Sequence, residues 1–264
     1  MCLILMAWQV HPDYPVVMAA NRDEFRRRPT APAAWWTDHA NLLAGRDLEA
    51  HGTWLGITAG GQIAALTNFR DPNQIKPQAP SRGGLVLEML ESRATIGERL
   101  AQLRTVSGRY AGFNLLCTDG HELGVYESVP ATGRMLGPGI YGLSNHLLDT
   151  PWPKVQRAKS NLATALRSLP DDTALLELLR DDRVPADDEL PRTGVSLDWE
   201  RLLSSAFIRG ADYGTRSSTV VRIGIDGQAS FHEWSWNADG SLGSEVRFEF
   251  QIEPTSISAA RRPE

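Results

Sequence analysis

The second residue of the chain is a cysteine, and an Asn-Arg-Asp-Glu cluster follows at 21–24 in VVMAANRDEF. If Met1 is removed, Cys2 carries a thiol and an α-amine on one residue. A terminal amine has a reference pKa of about 7.7–8.0 and a free thiol titrates near 8.5, so the amine can take up a proton near neutrality. One residue then supplies nucleophile and general base without a histidine. The small side chain at position 2 is compatible with removal of the initiator methionine. The competing reading makes Cys2 a small hydrophobe at the start of an apolar strand, CLILMAWQ. Cys117, inside FNLLCTD, is read as packing.

Acyl chemistry also needs donors for an oxyanion and a group to hold the amine. Asn68 in LTNFRDP and Asn145 in YGLSNHL each follow an expected strand, where an amide N–H can stabilise negative charge without titrating. Asparagine in such places is also a common turn former. Asp23 is positioned to orient an α-ammonium, and Arg22 or Arg216 to stabilise a thiolate or grip a carboxylate. The bland alternative pairs Asp23 and Glu24 with the neighbouring arginines of RDEFRRR on the surface.

These residues need a frame. Apolar runs face each other across HPDY, Gly60–Gly61, Asp119–Gly120 and Asp226–Gly227, and Gly in such turns accepts positive φ, so four hairpins are expected. VRFEFQI alternates as a further strand. Helical periodicity marks SRGGLVLEMLES with TIGERLAQL, and PWPKVQRAKSNLATALRSL with DDTALLELLRD. Residues 181–191 read as a surface loop. Strands apolar on both faces, with helices gathered in blocks, predict an α+β fold of two stacked antiparallel sheets between helical layers. No composition break interrupts the chain, so residues 1–254 are expected to form a single domain and 255–264 a flexible tail.

Several classes are disfavoured. A formal net charge of −5 argues against nucleic acid or an anionic membrane as partner. Two cysteines form no disulfide framework, six scattered histidines show no metal-ligand spacing, and no metal or cofactor is expected. The apolar start is too short for a spanning helix and lacks a basic leader, so a cytoplasmic protein without an integral membrane segment is the default. Nothing in the sequence sets the oligomeric state.

NRDE at 21–24, GTWLG at 52–56, LTNFRDP at 66–72, SRGGLV at 81–86, GLSNHLLDTPWPKV at 142–155 and YGTRSSTVV at 213–221 together resemble the NRDE family, also called the transport and Golgi organisation protein family. That family in turn resembles the cysteine-type N-terminal nucleophile hydrolases, such as penicillin V acylase and bile salt hydrolase. The resemblance implies a four-layer αββα sandwich and cleavage of linear non-peptide C–N bonds, with Cys2 as nucleophile. The hydrolases' Arg-Asn-x-Asp motif aligns with Ala20-Asn21-Arg22-Asp23, which puts the amine-binding acid on Asp23 and Asn21 and Arg22 at the substrate. Their arginine falls on Ala20; Arg22, two residues along the same strand face, is inferred to replace it. Asn68 and Asn145 match the oxyanion asparagines and Arg216 a late active-site arginine. Members of the NRDE family are also linked to haem trafficking and to lipid or acyl-CoA handling. The alternative is therefore a non-catalytic carrier of haem or an acylated metabolite, with the Trp-rich segments AAWWTD and HEWSW lining its pocket.

Overall fold

The computed structural model describes residues 2–74, 76 and 78–253, so the expected domain end at 254 and the tail at 255–264 lie outside the described residues. In chain order the first strands are β1 (Cys2–Trp8), β2 (Val16–Phe25), β3 (Thr30–Trp35), β4 (Leu42–Asp47), β5 (Leu55–Thr58) and β6 (Ile63–Asn68). Helices α1 (Gly83–Glu91) and α2 (Ile96–Val106) follow, then β7 (Phe113–Thr118), β8 (Leu123–Glu127), β9 (Thr132–Leu136) and β10 (Gly139–Leu143). The chain continues through α3 (Pro153–Ala165), α4 (Thr173–Leu179) and α5 (Leu197–Leu202) to β11 (Tyr213–Ile223), β12 (Gln228–Trp236) and β13 (Leu242–Gln251).

The strands form two antiparallel sheets, one in the order β10-β1-β2-β11-β12-β13 and the other running β3 to β9 in sequence. Because side chains alternate along a strand, β1 feeds two cores at once. Ile4, Met6 and Trp8 meet Leu43, Ile57 and Leu116 of the other sheet, while Leu3, Leu5 and Ala7 meet Val155 and Leu162 of α3 and Leu175 of α4. On the far side of the second sheet, Leu85 and Val86 of α1 and Leu100 of α2 cover Ala64 and Leu115. Helix, sheet, sheet and helix layers result, the expected αββα arrangement. Each fully buried aliphatic side chain contributes about 1.5–3 kcal/mol.

All four expected hairpins form, and Gly61, Gly120 and Gly227 take φ of 80°, 88° and 79° at their turns. The four helical blocks become α1 to α4. Strands β3, β4, β9 and β10 and the short α5 carried weaker signals. In β3, Pro32 sits on an edge strand, and the pairing register skips between Ala31 and Ala34. In β9, TGRML is almost wholly exposed and so lacks an apolar face. Among the described residues, no helix is long and apolar enough to cross a membrane, and no cluster of three or more His, Cys, Asp or Glu could hold a metal ion.

Candidate active site

Cys2 opens β1 on the face shared with Ile4 and Met6, which looks toward the second sheet. Its partner across the β1–β2 ladder is Arg22, and the β1–β10 register, carried two residues beyond Ile4–Leu143, puts Asn145 on its other side. The partly exposed Cys2 stands in a cleft of about 370 Å³ with Arg22, Asp23, Trp54, Asn68 and Arg82. Burial pushes the Cys2 thiol up and the Asp23 charge adds to this; the Asp23 backbone N–H and Arg22 pull it back only in part. A thiol pushed up in this way needs a base before it can attack.

Asp23 also lines this cleft, but its backbone and carboxylate are held from the helix side of the sheet. The Thr215 hydroxyl donates to its Oδ1 at 2.7 Å, and the Tyr213 hydroxyl donates to its carbonyl at 2.8 Å. Burial pushes its carboxyl up, opposed by Lys154, Thr215 and Arg70. Lys154 is only 2% exposed and donates to the Leu203 carbonyl at 2.8 Å. Burial first, then Arg70, brings its ammonium down to about 8. Arg70 pairs with Glu200 at 2.9 Å. Asp23, Glu200, Lys154 and Arg70 thus form a buried group of two carboxylates, a lysine and an arginine next to the cleft.

Arg22 is committed within the cleft wall. It contacts Asp47 at 3.1 Å, donates to the Thr30 hydroxyl at 2.9 Å and lies over the Trp54 ring at 4.3 Å. Asp47 also takes Arg28 at 2.6 Å, and although burial pushes its carboxyl up, these partners hold it below the ordinary range. Ala20, where the hydrolases' arginine falls, is packed between the sheets, one step along the same face from Arg22.

The two asparagines differ in commitment. The Asn68 side chain lines the cleft and makes no hydrogen bond among the described residues. Asn145 is fully buried, and its amide donates to the Asn68 carbonyl at 2.9 Å. Ser144, next to it, donates to the Cys2 carbonyl at 3.2 Å.

Two further expected residues stand apart from the cleft. Asn21 faces α4, donating to the Leu179 and Ala206 carbonyls at 2.7 and 2.8 Å. Arg216 is the extra residue where the β2–β11 register shifts, and its Nη1 donates to the carbonyls of Phe25, Arg26 and Arg28. It braces the turn after β2 and lines a small cavity of about 120 Å³ with Trp54, Ser217 and Glu233. Glu233, pushed up to about 7 by burial, accepts from the Ala33 N–H at 2.8 Å. The Trp-rich segments do not line the Cys2 cleft: Trp36, Trp234 and Trp236 are buried in the helix-facing cores, and Trp35 packs edge-on against Phe250.

Two cleft-lining residues, Arg82 and Trp54, and the buried Lys154 carried no assigned role in the sequence. Arg82 immediately precedes α1, and its Nη1 donates to the Gly112 carbonyl at 3.0 Å. It reaches the cleft because Gly52 and Gly83 touch: a Cβ on Gly52 would meet the Gly83 carbonyl carbon at 2.6 Å. Trp54 fits because its ring lies over Gly45, where a Cβ would come within 2.4 Å. Lys154 had one visible signal, a lysine in line with Ala158 and Leu162 on the buried stripe of α3.

The sequence profile described as Transport and Golgi organisation 2 matches residues 1–238. The chain is 35% identical to the Transport and Golgi organization protein 2 homolog of Bos taurus over 285 residues, covering 96% of this chain and 100% of that protein. The Homo sapiens homolog is also 35% identical, with the same coverage, and the Drosophila melanogaster protein is 28% identical across 88% of this chain and 91% of its own. Among solved structures, the chain is similar to the Caenorhabditis elegans N-acylethanolamine-hydrolyzing acid amidase ortholog, at 12% identity and a TM-score of 0.47, covering 83% of this chain and 92% of that one. It is also similar to the C2A mutant of conjugated bile acid hydrolase from Clostridium perfringens, at 10% identity and a TM-score of 0.41, covering 97% and 98%.

Proposed function

The chain belongs to the Transport and Golgi organisation 2 family, and within it we propose that this protein is an N-terminal-cysteine amidohydrolase acting on linear, non-peptide C–N bonds. The observation that carries this reading is the placing of Cys2 in a polar cleft, opposite Arg22 and beside Asp23 and the uncommitted amide of Asn68. Once Met1 is removed, the Cys2 amine takes the thiol proton as Sγ forms a bond to the substrate carbonyl carbon. The carbonyl electrons move to oxygen, where the Asn68 amide donates to the oxyanion, its backbone held by the Asn145 amide. The ammonium, held by Asp23, then protonates the nitrogen as the C–N bond breaks, and the amine leaves. Water attacks the resulting thioester with the Cys2 amine as base, releasing the carboxylic acid and restoring the thiol. Arg22 stabilises the thiolate along this path, and Arg216 acts at a distance by fixing the turn that follows Arg22.

Intact mass tests the premise, because a mature chain that retains Met1 has no Cys2 amine. Hydrolysis across a panel of acyl amides tests the chemistry: activity lost in Cys2→Ala and kept in Cys117→Ala is expected. Saturable binding of haem or an acyl-CoA that survives Cys2→Ala, with no amide hydrolysed, would overturn the enzyme reading in favour of a carrier.

A further inference from the structure

Cations (Arg22, Arg28, Lys76 and Arg82) and carboxylates line the cleft in equal number, but the cations are not equally paired. Arg22 and Arg28 both lean on Asp47, at 3.1 and 2.6 Å, and Arg28 also reaches Glu49 at 3.0 Å. Arg82 has no carboxylate within ion-pair distance among the described residues; its one hydrogen bond, through Nη1, goes to the Gly112 carbonyl. The rest of its planar donor fork is uncommitted. Arg82 lines the same cleft as Cys2, and the two are near enough for the thiol to act on the guanidinium's charge. Gly83, the first residue of α1, lines the cleft too, so the positive end of that helix adds to the field. Glu24 and Glu49 on the same walls disfavour a polyanion.

Size and lining restrict the rest of the ligand. At about 370 Å³ the cleft lies near the lower end of small-molecule sites. Its apolar contribution comes from Trp54, Leu66 and short side chains such as Ala50, Ala79 and Ala111, which do not make a continuous channel for a hydrocarbon tail.

We propose that the cleft takes a short acyl amide bearing one carboxylate, held by Arg82 beside the Cys2 thiol, and rejects long-chain fatty amides. This rests on the amidohydrolase reading for its reaction but not for its binding step. Two alkylating reagents that differ only at the tested group separate the two. Iodoacetate and iodoacetamide deliver the same carbon to sulfur, with iodide leaving, but only iodoacetate carries a carboxylate. Cys2 is expected to react with iodoacetate saturably and faster than with iodoacetamide or N-dodecyl iodoacetamide, as read by intact mass in a Cys117→Ala background. Arg82→Gln is expected to lower the iodoacetate-to-iodoacetamide rate ratio by about tenfold, the loss of a charge-assisted hydrogen bond, and Arg82→Lys to restore part of it. The ratio cancels any change in the thiol's own ionisation. Wild-type protein gives an independent readout: propionate should protect Cys2 from iodoacetamide and propionamide should not. An unchanged ratio in Arg82→Gln, equal protection by the two additives, or fastest reaction with the dodecyl reagent would overturn the proposal. Failure of every amide substrate alongside an intact carboxylate preference would overturn the amidohydrolase reading alone.

Discussion

The side-chain amide of Asn145 donates to the main-chain carbonyl of Asn68 at 2.9 Å, and the Asn145 carbonyl accepts from the Arg70 N–H at 2.7 Å. One residue just past β10 thus ties the first sheet to the end of β6 in the second, at the foot of the cleft. The tie fixes the Asn68 backbone while leaving its side chain uncommitted.

Asn68→Ala is therefore expected to cut kcat for amide hydrolysis by about 10²–10³, with little change in the rate at which iodoacetamide labels Cys2. Asn145→Ala should lower kcat comparably and also lower the melting temperature, because it takes the Asn145 amide away from the half-buried Asn68 carbonyl. Equal melting temperatures for the two variants would contradict the bracing role.

Lys154 places a buried positive charge near Asp23 and Cys2. Lys154→Met should push the thiol further up, making alkylation at neutral pH roughly threefold or more slower and moving its pH profile to the alkaline side. Lys159→Met, which removes a surface partner of Asp149, serves as the control and should leave the profile in place.

Glu233 has a stability signature of known sign. Its pKa rises from 4.5 to about 7 on folding, so the native state binds more protons between those values. Its stabilising contribution is complete below pH 4.5 and is lost as pH rises through about 7. Glu233→Gln should gain on wild type by roughly 3 kcal/mol across that interval, measured as the difference between urea unfolding free energies at its two ends. A pH-independent difference would contradict the buried carboxylate.

The glycine contact gives a paired prediction. Gly52→Ala directs a methyl at the Gly83 backbone, which must shift, and should cost about 1–3 kcal/mol. Gly84→Ala meets nothing within 4 Å and should be neutral or stabilise by about 0.5–1 kcal/mol, since it removes a helical glycine. Thermal unfolding separates the two.

Much of the layering was legible because it depends on local rules. Asp-Gly and Gly-Gly turns announced their hairpins, and CLILMAW, apolar on both faces, announced a strand covered twice. Cys2, Asp23 and Asn68, singled out by residue type and by the family resemblance, line one cleft, whereas Asn145, singled out with them, is buried beside it. Arg82 was not, since its arrival at the cleft depends on the contact between Gly52 and Gly83, thirty-one residues apart in sequence. Nor could spacing show that Asn21 and Arg22, adjacent on β2, are spent on opposite faces, one on the Leu179 and Ala206 carbonyls and the other on Asp47. Arg216 read as a substrate or thiolate partner from its block, but a ladder irregularity beside it turns its guanidinium onto three carbonyls of the β2–β3 turn.

β1 is an interior strand, hydrogen-bonded to β10 on one side and β2 on the other. A strand end normally frays, but Cys2 is laddered to Arg22 on β2 and its carbonyl accepts from the Ser144 hydroxyl on the other side before any ligand arrives. The entropy of ordering a reactive terminus is thereby met during folding, and an incoming acyl group would encounter a sulfur that has no search left to make.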